Sequence, residues 1–158
     1  MALRCRPIQE QDCVMAFEWA NDPLCRQMGF SQTIISMEDH RVWFRNALTS
    51  ATMRLLVAEG QISDQWTPLA LVRVDRDGEV SLSIAAEFRG RHLAIPVLQA
   101  ALEFIQSEWP LTKFIAYIKH GNPASIHTFE QAGFRYARDA VVKGHACLEY
   151  IYERTHVS

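Results

Sequence analysis

The sequence predicts one domain of α+β class, residues 1–158, in which helices cover both faces of a mixed sheet. Short apolar or alternating segments are typical of strands, and segments with apolar residues at helical spacing lie between them. The expected order of elements is β-α-α-β-β-β-α-β-α-β-β. A length of 158 residues suits one domain, and a hydrophobic share of 49% is sufficient to form a core.

Seven segments are predicted to be strands. Polar and apolar residues alternate strictly over residues 79–84, which predicts a strand with one buried face. A turn at 75–78 precedes this segment, and Lys143-Gly144 separates the last two strands as a hairpin turn. The predicted strands are residues 3–7, 53–58, 69–74, 79–84, 114–118, 134–142 and 147–152.

The two N-terminal helices are predicted from their first residues. Asp12 is a residue type that caps helices, and it opens a helical segment through Trp19 that stops near residues 21–23. Ser36 followed by Asp39 resembles a capping box, so a second helix is expected from residue 37 to about residue 48.

The two later helices are predicted from apolar spacing and from the positions of Pro and Gly. Apolar residues up to position 105 predict a helix that begins near Leu93, where Pro96 lies in the first turn and removes no intrahelical hydrogen bond. Asn122 and Pro123 suit the N-cap and the first position of the last helix. Gly133 suits the residue just after its end.

Composition and charge narrow the classes of partner. The formal net charge is -2, so no basic field favours nucleic acid, and no apolar run approaches the ~20 residues of a membrane span. The four cysteines are scattered and metal-binding spacings are absent, so we expect reduced thiols and no metal site. Residues 1–12 lack the apolar run of a signal peptide. We therefore expect a cytoplasmic protein that acts on a small molecule, with a homodimer left open.

The most informative segment is residues 88–94, between a predicted strand and a predicted helix. Backbone N–H groups at a helix start have no intrahelical acceptor and carry partial positive charge, so they bind phosphate. Gly90 allows a ligand to approach the backbone closely, and Arg89 and Arg91 add positive charge. Taken alone, the same pattern also describes an ordinary loop with two solvated arginines.

Two motifs, in this order along the chain, resemble the GNAT superfamily of acetyltransferases. The first resembles its phosphate-loop pattern, Arg/Gln-x-x-Gly-x-Gly/Ala, at Arg89 and Ala94. The second resembles its later pattern, Asn-x-x-Ser-x-x-x-aromatic-x-x-x-Gly-Phe. The residues that match this later pattern are Asn122, Ser125, Phe129, Gly133 and Phe134.

The resemblance implies an acetyl-CoA-dependent N-acetyltransferase whose mostly antiparallel seven-stranded sheet opens into a V-shaped cofactor cleft. It also implies that the strand through residues 83–85 is bulged and diverges from the strand that ends at Ile118. Exposed N–H groups in the cleft would bind pantetheine and polarise the thioester carbonyl. The residues expected at acetyl-CoA are Ile84, Ala85, Ala86, Arg89, Gly90, Arg91, His92, Leu93, Ala94, Asn122, Ser125 and Phe129.

Two positions depart from the family pattern. His92 stands where glycine is usual, and its side chain would either weaken binding of the pyrophosphate or add a contact to it. Phe129 stands where many relatives have a tyrosine that protonates the CoA thiolate. Because a thiol of this kind has a pKa near ~8.5, the thiolate can leave without strong acid assistance near neutral pH, and Phe129 is therefore compatible with activity.

Residues 17–23, 30–31 and 37–44 resemble one subfamily, the nucleotide-sugar 4-amine N-acetyltransferases of pseudaminic-acid biosynthesis. The implied acceptor is the 4-amine of a UDP-linked 4-amino-4,6-dideoxy sugar. Two residues three apart share a helix face, so Trp43 could stack on uracil while His40 meets the diphosphate, although Trp43 equally suits the core. The expected acceptor-binding residues are Arg26, Phe30, His40, Trp43 and Ser81.

The expected reaction is direct attack of a neutral amine on the thioester while both substrates are bound. A sugar amine is mostly protonated at neutral pH, so a base or a water chain must remove a proton. Glu79 and His120, at the two central strands, are the candidate catalytic bases. Each also fits a plainer role, Glu79 as a solvated turn residue and His120 as a loop residue.

Two other functions fit the same sequence. The chain could acetylate a protein N-terminus or a small amine, because ribosomal-protein N-terminal acetyltransferases share parts of the pattern. That function requires a groove open to peptide. The chain could also bind acetyl-CoA without catalysis, with His92 and Phe129 as marks of a degenerate site, which predicts cofactor binding without turnover.

Overall fold

The computed structural model of the chain describes residues 1–31 and 33–154. None of the helices in these ranges is long and apolar enough to cross a membrane. The strands are β1 (Leu3–Pro7), β2 (Met53–Ile62), β3 (Gln65–Asp75), β4 (Val80–Ile84), β5 (Lys113–Lys119), β6 (Arg135–Val142) and β7 (His145–Glu153). The helices are α1 (Cys13–Ala20), α2 (Pro23–Met28), α3 (Met37–Thr49), α4 (Ala94–Glu108) and α5 (Pro123–Gln131).

The strands form two antiparallel sheets that meet at one point. The first sheet has the order β1-β2-β3-β4 and the second the order β5-β7-β6. Between them, Glu79 and Ile115 form an isolated parallel bridge, in which the Ile115 N–H donates to the Gly78 carbonyl oxygen at 2.9 Å. Beyond this bridge, within residues 1–31 and 33–154, β4 pairs only with β3 and β5 pairs only with β7. The two strands therefore part after the junction and leave a V-shaped opening.

Side-chain alternation along β2 assigns the helices to opposite faces of the first sheet. Leu56 points into the main core, where it is packed with Val97 of α4. Its neighbour Leu55 points the other way, into a second cluster with Phe44 of α3. Successive residues of a strand face opposite sides, so one strand serves both cores. Helices cover both faces, as the sequence predicts.

The predicted helix boundaries are confirmed where a capping residue marks them. Ser36 accepts a hydrogen bond from the Asp39 N–H at 3.1 Å at the start of α3, and Asn122 accepts one from the Ser125 N–H at 3.2 Å at the start of α5. Pro96 is the third residue of α4, so its missing N–H leaves the helix intact.

Helix α2 was not expected from the sequence. The first helix ends at Ala20, close to the predicted stop, but Pro23 then begins a new helix. Asp22 caps it by accepting a hydrogen bond from the Cys25 N–H at 3.1 Å. A proline at the first helical position has no N–H to lose, so the same Asp-Pro pair that ends one helix starts the next.

The bulge expected at residues 83–85 is absent from the described ladder, which corrects that prediction. The pairing of β4 with β3 is regular from Val80 to Ile84. Register shifts occur elsewhere, at 58–59 in β2 and at 136–138 in β6. The cleft therefore arises because β5 leaves β4 after one bridge, and β4 needs no kink to produce it.

Gly78 makes the junction between the sheets sterically feasible. Its φ is +99°, in the left-handed region, and a Cβ at this position would collide with the carbonyl oxygen of Lys113. The close approach of these two backbones brings the Gly78 carbonyl to the Ile115 N–H. Only a residue without a side chain meets both requirements at low cost.

Gly78→Ala should lower the free energy of unfolding by roughly 3 kcal/mol, about 1–2 kcal/mol from the left-handed backbone and the rest from the contact with Lys113. Gly144→Ala is the matched control, because its φ is +79° and nothing lies within 4 Å of an added Cβ. Urea unfolding of both variants measures the difference. Equal losses would show that the approach to Lys113 contributes nothing.

Candidate functional site

The V between β4 and β5 opens into a cavity of about 470 Å³. Residues of β4 and β5 form its two walls, α1, α2 and α3 contribute to one side, and the starts of α4 and α5 contribute to the other. The volume lies within the range of ~300–1,000 Å³ that small-molecule sites occupy. Most of the lining side chains are apolar, so a few polar groups determine what binds.

The backbone of β4 directs N–H groups into this cavity. Glu79 and Ala85 each form a 2.8 Å backbone hydrogen bond with β3. In an antiparallel ladder the bonding direction alternates from residue to residue, so the N–H groups of Leu82 and Ile84 point the other way, towards β5. The Ala85 N–H is thus already paired, with Leu69, which corrects its expected role as a donor to the cofactor.

The backbone of β5 also directs N–H groups into the cavity, from the opposite wall. The Ile115 N–H points to β4 at the junction, so the alternation turns the N–H groups of Tyr117 and Lys119 in the same direction. Past the junction these groups have no strand partner among the described residues. Buried N–H groups need acceptors, so the cleft suits an extended ligand that carries amide and carbonyl groups.

The loop before α4 has the geometry of a phosphate site. Gly90 has a φ of +74° and open space around its Cβ position, and His92 has a φ of +58°. No side chain caps the start of α4 at Leu93, and the first backbone N–H of α4 with a helical acceptor is that of Val97, which donates to the Leu93 carbonyl oxygen. The N–H groups of Ala94 and Ile95 are therefore free to bind an anion. The left-handed backbone also explains why glycine would suit position 92, and histidine is among the residues that tolerate it.

Arg89 connects the phosphate loop to α2. Its Nη2 donates to the Asp22 carboxylate at 2.7 Å, and that hydrogen bond is the main reason why the pKa of Asp22 is lowered. The Arg89 side chain also lines the cavity. Arg91 is exposed instead and lies over the Phe88 ring at 5.5 Å. Arg89 is therefore the arginine that reaches both the cofactor loop and the acceptor side.

The start of α5 closes the cavity beside the phosphate loop. Asn122, Ser125 and Phe129 line it together with Ala94. The Asn122 side-chain oxygen is occupied by the helix cap. Phe129 is buried and meets Phe134 edge-on at 5.0 Å between ring centroids, so it is part of the core and of the cavity wall at once.

The acceptor side of the cavity combines aromatic rings with cationic groups. Trp43 and Phe30 line it, and Trp43 is 40% exposed. The Lys119 ammonium lies 5.8 Å from the Phe30 ring centroid. Arg26 lines the same side and donates to the Ser31 carbonyl oxygen at 3.2 Å. Exposed and half-buried groups of this kind are available to a ligand.

Residues 2–135 of the chain match the family model described as acetyltransferase (GNAT) domain. The chain belongs to the GNAT acetyltransferase family. It is accordingly an N-acetyltransferase that uses acetyl-CoA as the acetyl donor. The cleft fits this donor on its own geometry, because inward-facing N–H groups suit pantetheine and the loop at Gly90 suits a pyrophosphate. None of the curated proteins matches the chain.

Several solved structures share the fold. The spermidine N-acetyltransferase from Vibrio cholerae, in complex with CoA and spermine, is 18% identical with a TM-score of 0.85, over 96% of this chain and 95% of that chain. The acetyltransferase AAC(6')-Ib, in complex with ribostamycin and coenzyme A, is 16% identical with a TM-score of 0.83, over 98% and 94%. A domain from Methanocaldococcus jannaschii is 18% identical with a TM-score of 0.83, over 96% and 98%.

The predicted cofactor residues of this GNAT enzyme lie together, around the cleft and the loop before α4. Ala85 and Ala86 line a smaller neighbouring cavity of about 260 Å³ that shares Ile84 and Arg89 with the main one. The predicted residues that line the main cavity are Ile84, Arg89, Ala94, Asn122, Ser125 and Phe129. Those in the loop are Gly90, Arg91, His92 and Leu93.

The structure corrects the prediction for His40. It is 2% exposed, and its Nε2 lies 2.9 Å from the Cys13 carbonyl oxygen. The rings of Phe17 and Phe44 pack around it at 5.4 Å and 5.8 Å. Helical spacing puts His40 on the same face as Trp43, but His40 lies on the buried side of that face and does not line the cavity.

The two predicted bases do not line the cavity either. Glu79 is half-buried at the junction, where burial and the neighbouring Asp75 and Asp77 raise its pKa. His120 is exposed in the turn that follows β5. Strand order brings both residues near the cleft, but neither is among the described residues that line the cavity.

Sequence reasoning missed several polar residues of the cavity. Tyr117 and Lys119 line it from β5, and Cys25 lines it from α2. The Cys25 Sγ lies 3.6 Å from the Ser83 Oγ. Strand alternation alone could have identified Tyr117 and Lys119, because they share a face with Ile115 at the junction. Cys25 could not be found in this way, because it lies on the unexpected helix α2.

Arg89→Ala should weaken acetyl-CoA binding about 10- to 100-fold, the range expected from the loss of a hydrogen bond to a charged group. Isothermal titration with acetyl-CoA measures it. Arg41→Ala, an exposed arginine on α3, is the control and should bind as the parent does. An unchanged affinity in Arg89→Ala would mean that the phosphates lie elsewhere.

Proposed function

We propose that this GNAT enzyme acetylates the amine of an anionic acceptor, the 4-amine of a UDP-linked 4-amino-4,6-dideoxy sugar. The observation that carries the proposal is the charge of the cavity. Its described lining includes no Asp or Glu, whereas four of its residues are cationic. Those four are Arg26, Arg73, Arg89 and Lys119.

Two of the four cations have no carboxylate partner among the described residues. Arg73 has a carboxylate partner in Asp75 at 3.1 Å, and Arg89 has one in Asp22. Within residues 1–31 and 33–154, Arg26 and Lys119 donate to backbone carbonyl oxygens and form no salt bridge. A diphosphate accepts charge-assisted hydrogen bonds from such cations, and these are stronger than hydrogen bonds between neutral groups.

The Arg26 guanidinium also has a donor without an acceptor among the described atoms. Its Nε is buried and has no hydrogen-bond partner among the described atoms. A buried donor without an acceptor costs about 1–3 kcal/mol. A phosphate oxygen in the cavity would remove that cost, which supports an anionic ligand next to Arg26.

The aromatic residues of the acceptor side support a nucleotide. Trp43 and Phe30 both line the cavity beside these cations. Stacking of a base on an aromatic side chain contributes about 1–3 kcal/mol. A base, a diphosphate and a sugar amine would then each have a matching part of the same cavity.

The same charges argue against the amines named in the complexes of the structural neighbours. Spermine and ribostamycin carry several positive charges, whereas this cavity has two cations without a carboxylate partner in the described chain. Two like charges 4 Å apart repel by about 4 kcal/mol at an effective dielectric constant of 20. A polycation would therefore bind poorly next to Arg26 and Lys119.

The cavity also fits the reaction of a neutral amine. Acetyl-CoA supplies an acetyl group on a thioester whose thiolate is a good leaving group. The N–H groups of Leu82 and Ile84 can hold the donor in the cleft and polarise its carbonyl. Phe129 supplies no proton, so the chain relies on the low basicity of the departing thiolate.

A thiol-release assay with acetyl-CoA tests the proposal directly. The acceptor panel is a UDP-4-amino-4,6-dideoxy sugar, spermidine, kanamycin and a set of N-terminal peptides. We expect turnover with the UDP-sugar and none with the polycations. Turnover with spermidine or kanamycin but not with the UDP-sugar would contradict the argument from the charge of the cavity. Turnover with peptides alone would assign the chain to protein acetylation.

Arg26→Gln should raise the KM for the sugar nucleotide at least about tenfold, because a charged hydrogen bond to phosphate contributes ~1.5–3 kcal/mol. The KM for acetyl-CoA should stay within a factor of about two. Arg45→Gln, an exposed arginine on α3, is the matched control. Equal KM values for Arg26→Gln and the control would remove Arg26 from the acceptor site.

Trp43→Ala should raise the KM for the sugar nucleotide about 5- to 50-fold through lost stacking and should leave the affinity for acetyl-CoA unchanged. Because Trp43 is 40% exposed, the fold should tolerate the change, and the thermal midpoint should fall by only a few degrees. In this variant, an acceptor that lacks the nucleobase should have the same KM as the complete sugar nucleotide. A large added effect would show that the base binds elsewhere.

A further inference from the structure

The acceptor amine must lose a proton, yet the described lining of the cavity has no histidine or carboxylate side chain to take it. The titratable lining residues that are not cations are Cys25 and Tyr117. The Cys25 Sγ contacts Ser83, and among the described residues no carboxylate bonds to that sulfur. Tyr117 has a carboxylate beside it, because Glu149 lies opposite it on the neighbouring strand β7.

Tyr117 lies between the cavity and a buried acid. Glu149 on β7 is the cross-strand partner of Tyr117, so the two side chains lie on the same face of the sheet. Burial raises the pKa of Tyr117, and the negative charge of Glu149 raises it further. The phenol is therefore neutral at physiological pH, and its cross-strand partner Glu149 is the carboxylate placed to receive its proton.

Glu149 is held as a carboxylate acceptor. It is 3% exposed, and Arg138 on β6 binds it with Nε at 3.0 Å from one oxygen and Nη2 at 3.3 Å from the other. The Arg138 side chain is 73% exposed. The buried carboxylate thus has the cavity tyrosine on one side and a solvated arginine on the other, which is a short path from ligand to water.

We propose that Tyr117 takes the proton from the bound acceptor amine and passes its own proton to Glu149. Tyr117 is the catalytic residue in this step, because it lines the cavity in which the acceptor would bind. Glu149 is a positioning residue that orients the phenol and receives the proton. The role follows from the acetyltransferase activity and does not depend on which amine is the acceptor.

The step balances in protons and electrons. The acceptor ammonium gives one proton to the Tyr117 oxygen, while the phenolic proton moves to Glu149 and then to water beside Arg138. The neutral amine attacks the acetyl carbon, so a C–N bond forms and the C–S bond breaks. The second amine proton ends on the departing thiolate, and the net products are an amide, CoA thiol and one released proton.

Other charged groups near this pair set the pH range in which it works. Glu79 faces Tyr117 from the junction with β4, and Arg138 faces it from β6. Lys119 and Arg73 line the same cavity from β5 and β3. Cys147, on β7, has its pKa raised by burial and by Glu149. The thiol therefore stays neutral and does not compete as the acceptor.

The pH profile of kcat/KM separates this role from a structural one. Tyr117→Phe should be roughly 100-fold slower than the parent at pH 7, the lower end of the effect expected from general-base catalysis. Without the relay only amine that is already neutral reacts, so the deficit should shrink about tenfold per pH unit and vanish above the pKa of the amine. Glu149→Gln should give the same profile, because an amide accepts no proton at these pH values.

Tyr150→Phe is the matched control, because it removes a hydroxyl from the same sheet on the opposite face, where it donates to Glu130 at 3.1 Å. Its profile should equal that of the parent. The proposal would be overturned if Tyr117→Phe had the same kcat/KM as the parent, or if its kcat/KM were lower by the same factor at all pH values. The assay uses whichever amine the parent acetylates, so failure with a sugar nucleotide would count against the proposed acceptor and leave this test intact.

Glu149→Gln has a second readout that needs no acceptor. Ultraviolet titration of the tyrosines, with Tyr117→Phe as the reference, follows the ionisation of Tyr117 alone. Loss of the Glu149 charge should lower the pKa of Tyr117, because that charge is one cause of its elevation. An unchanged pKa would show that the two side chains are not coupled, and that result would also overturn the proposal.

Discussion

In the part of the chain that the structure describes, one backbone hydrogen bond joins the two sheets, from the Ile115 N–H to the carbonyl oxygen of Gly78. The contact fixes β4 beside β5 at one end and leaves the rest of both strands apart. Had the ladder continued, the N–H groups of Leu82, Ile84 and Tyr117 would have been satisfied by the neighbouring strand, and no ligand could have used them. The cleft thus depends on where pairing stops.

A second contact couples the two halves of the site. Arg89 belongs to the phosphate loop, and its partner Asp22 caps the helix that carries Cys25 and Arg26 into the cavity. The same carboxylate therefore orients an arginine of the donor side and a helix of the acceptor side. Because both functions rest on one 2.7 Å ion pair, the position of α2 and the charge of the loop are linked.

Most of the fold could be predicted from the sequence, because local signals and tertiary structure agree there. Strict alternation at 79–84 gave a strand, and Asn122-Pro123 with Gly133 gave a helix with both ends. The prediction failed where one signal has two meanings. Pro23 ends a helix and also begins one, and the sequence alone does not distinguish these outcomes.

The site was less predictable, because helical periodicity indicates on which face a residue lies but not how deeply that residue is buried. His40 and Trp43 share a helix face, yet one is enclosed by aromatic rings and the other is 40% exposed. Likewise, nothing local to Tyr117 indicates that Glu149 is its neighbour, because that contact depends on the pairing of β5 with β7. Contacts of this kind follow from topology and appear only once the strands are paired.

The central claim is that the unpaired N–H groups of the opened sheet hold the acetyl donor. Amide chemical shifts of the labelled protein, recorded with and without acetyl-CoA, test it most directly. The account predicts large changes for Leu82, Ile84, Tyr117 and Lys119, and for the first turn of α4 (Ala94–Glu108). Saturable binding that leaves these amides unchanged and shifts others would contradict it.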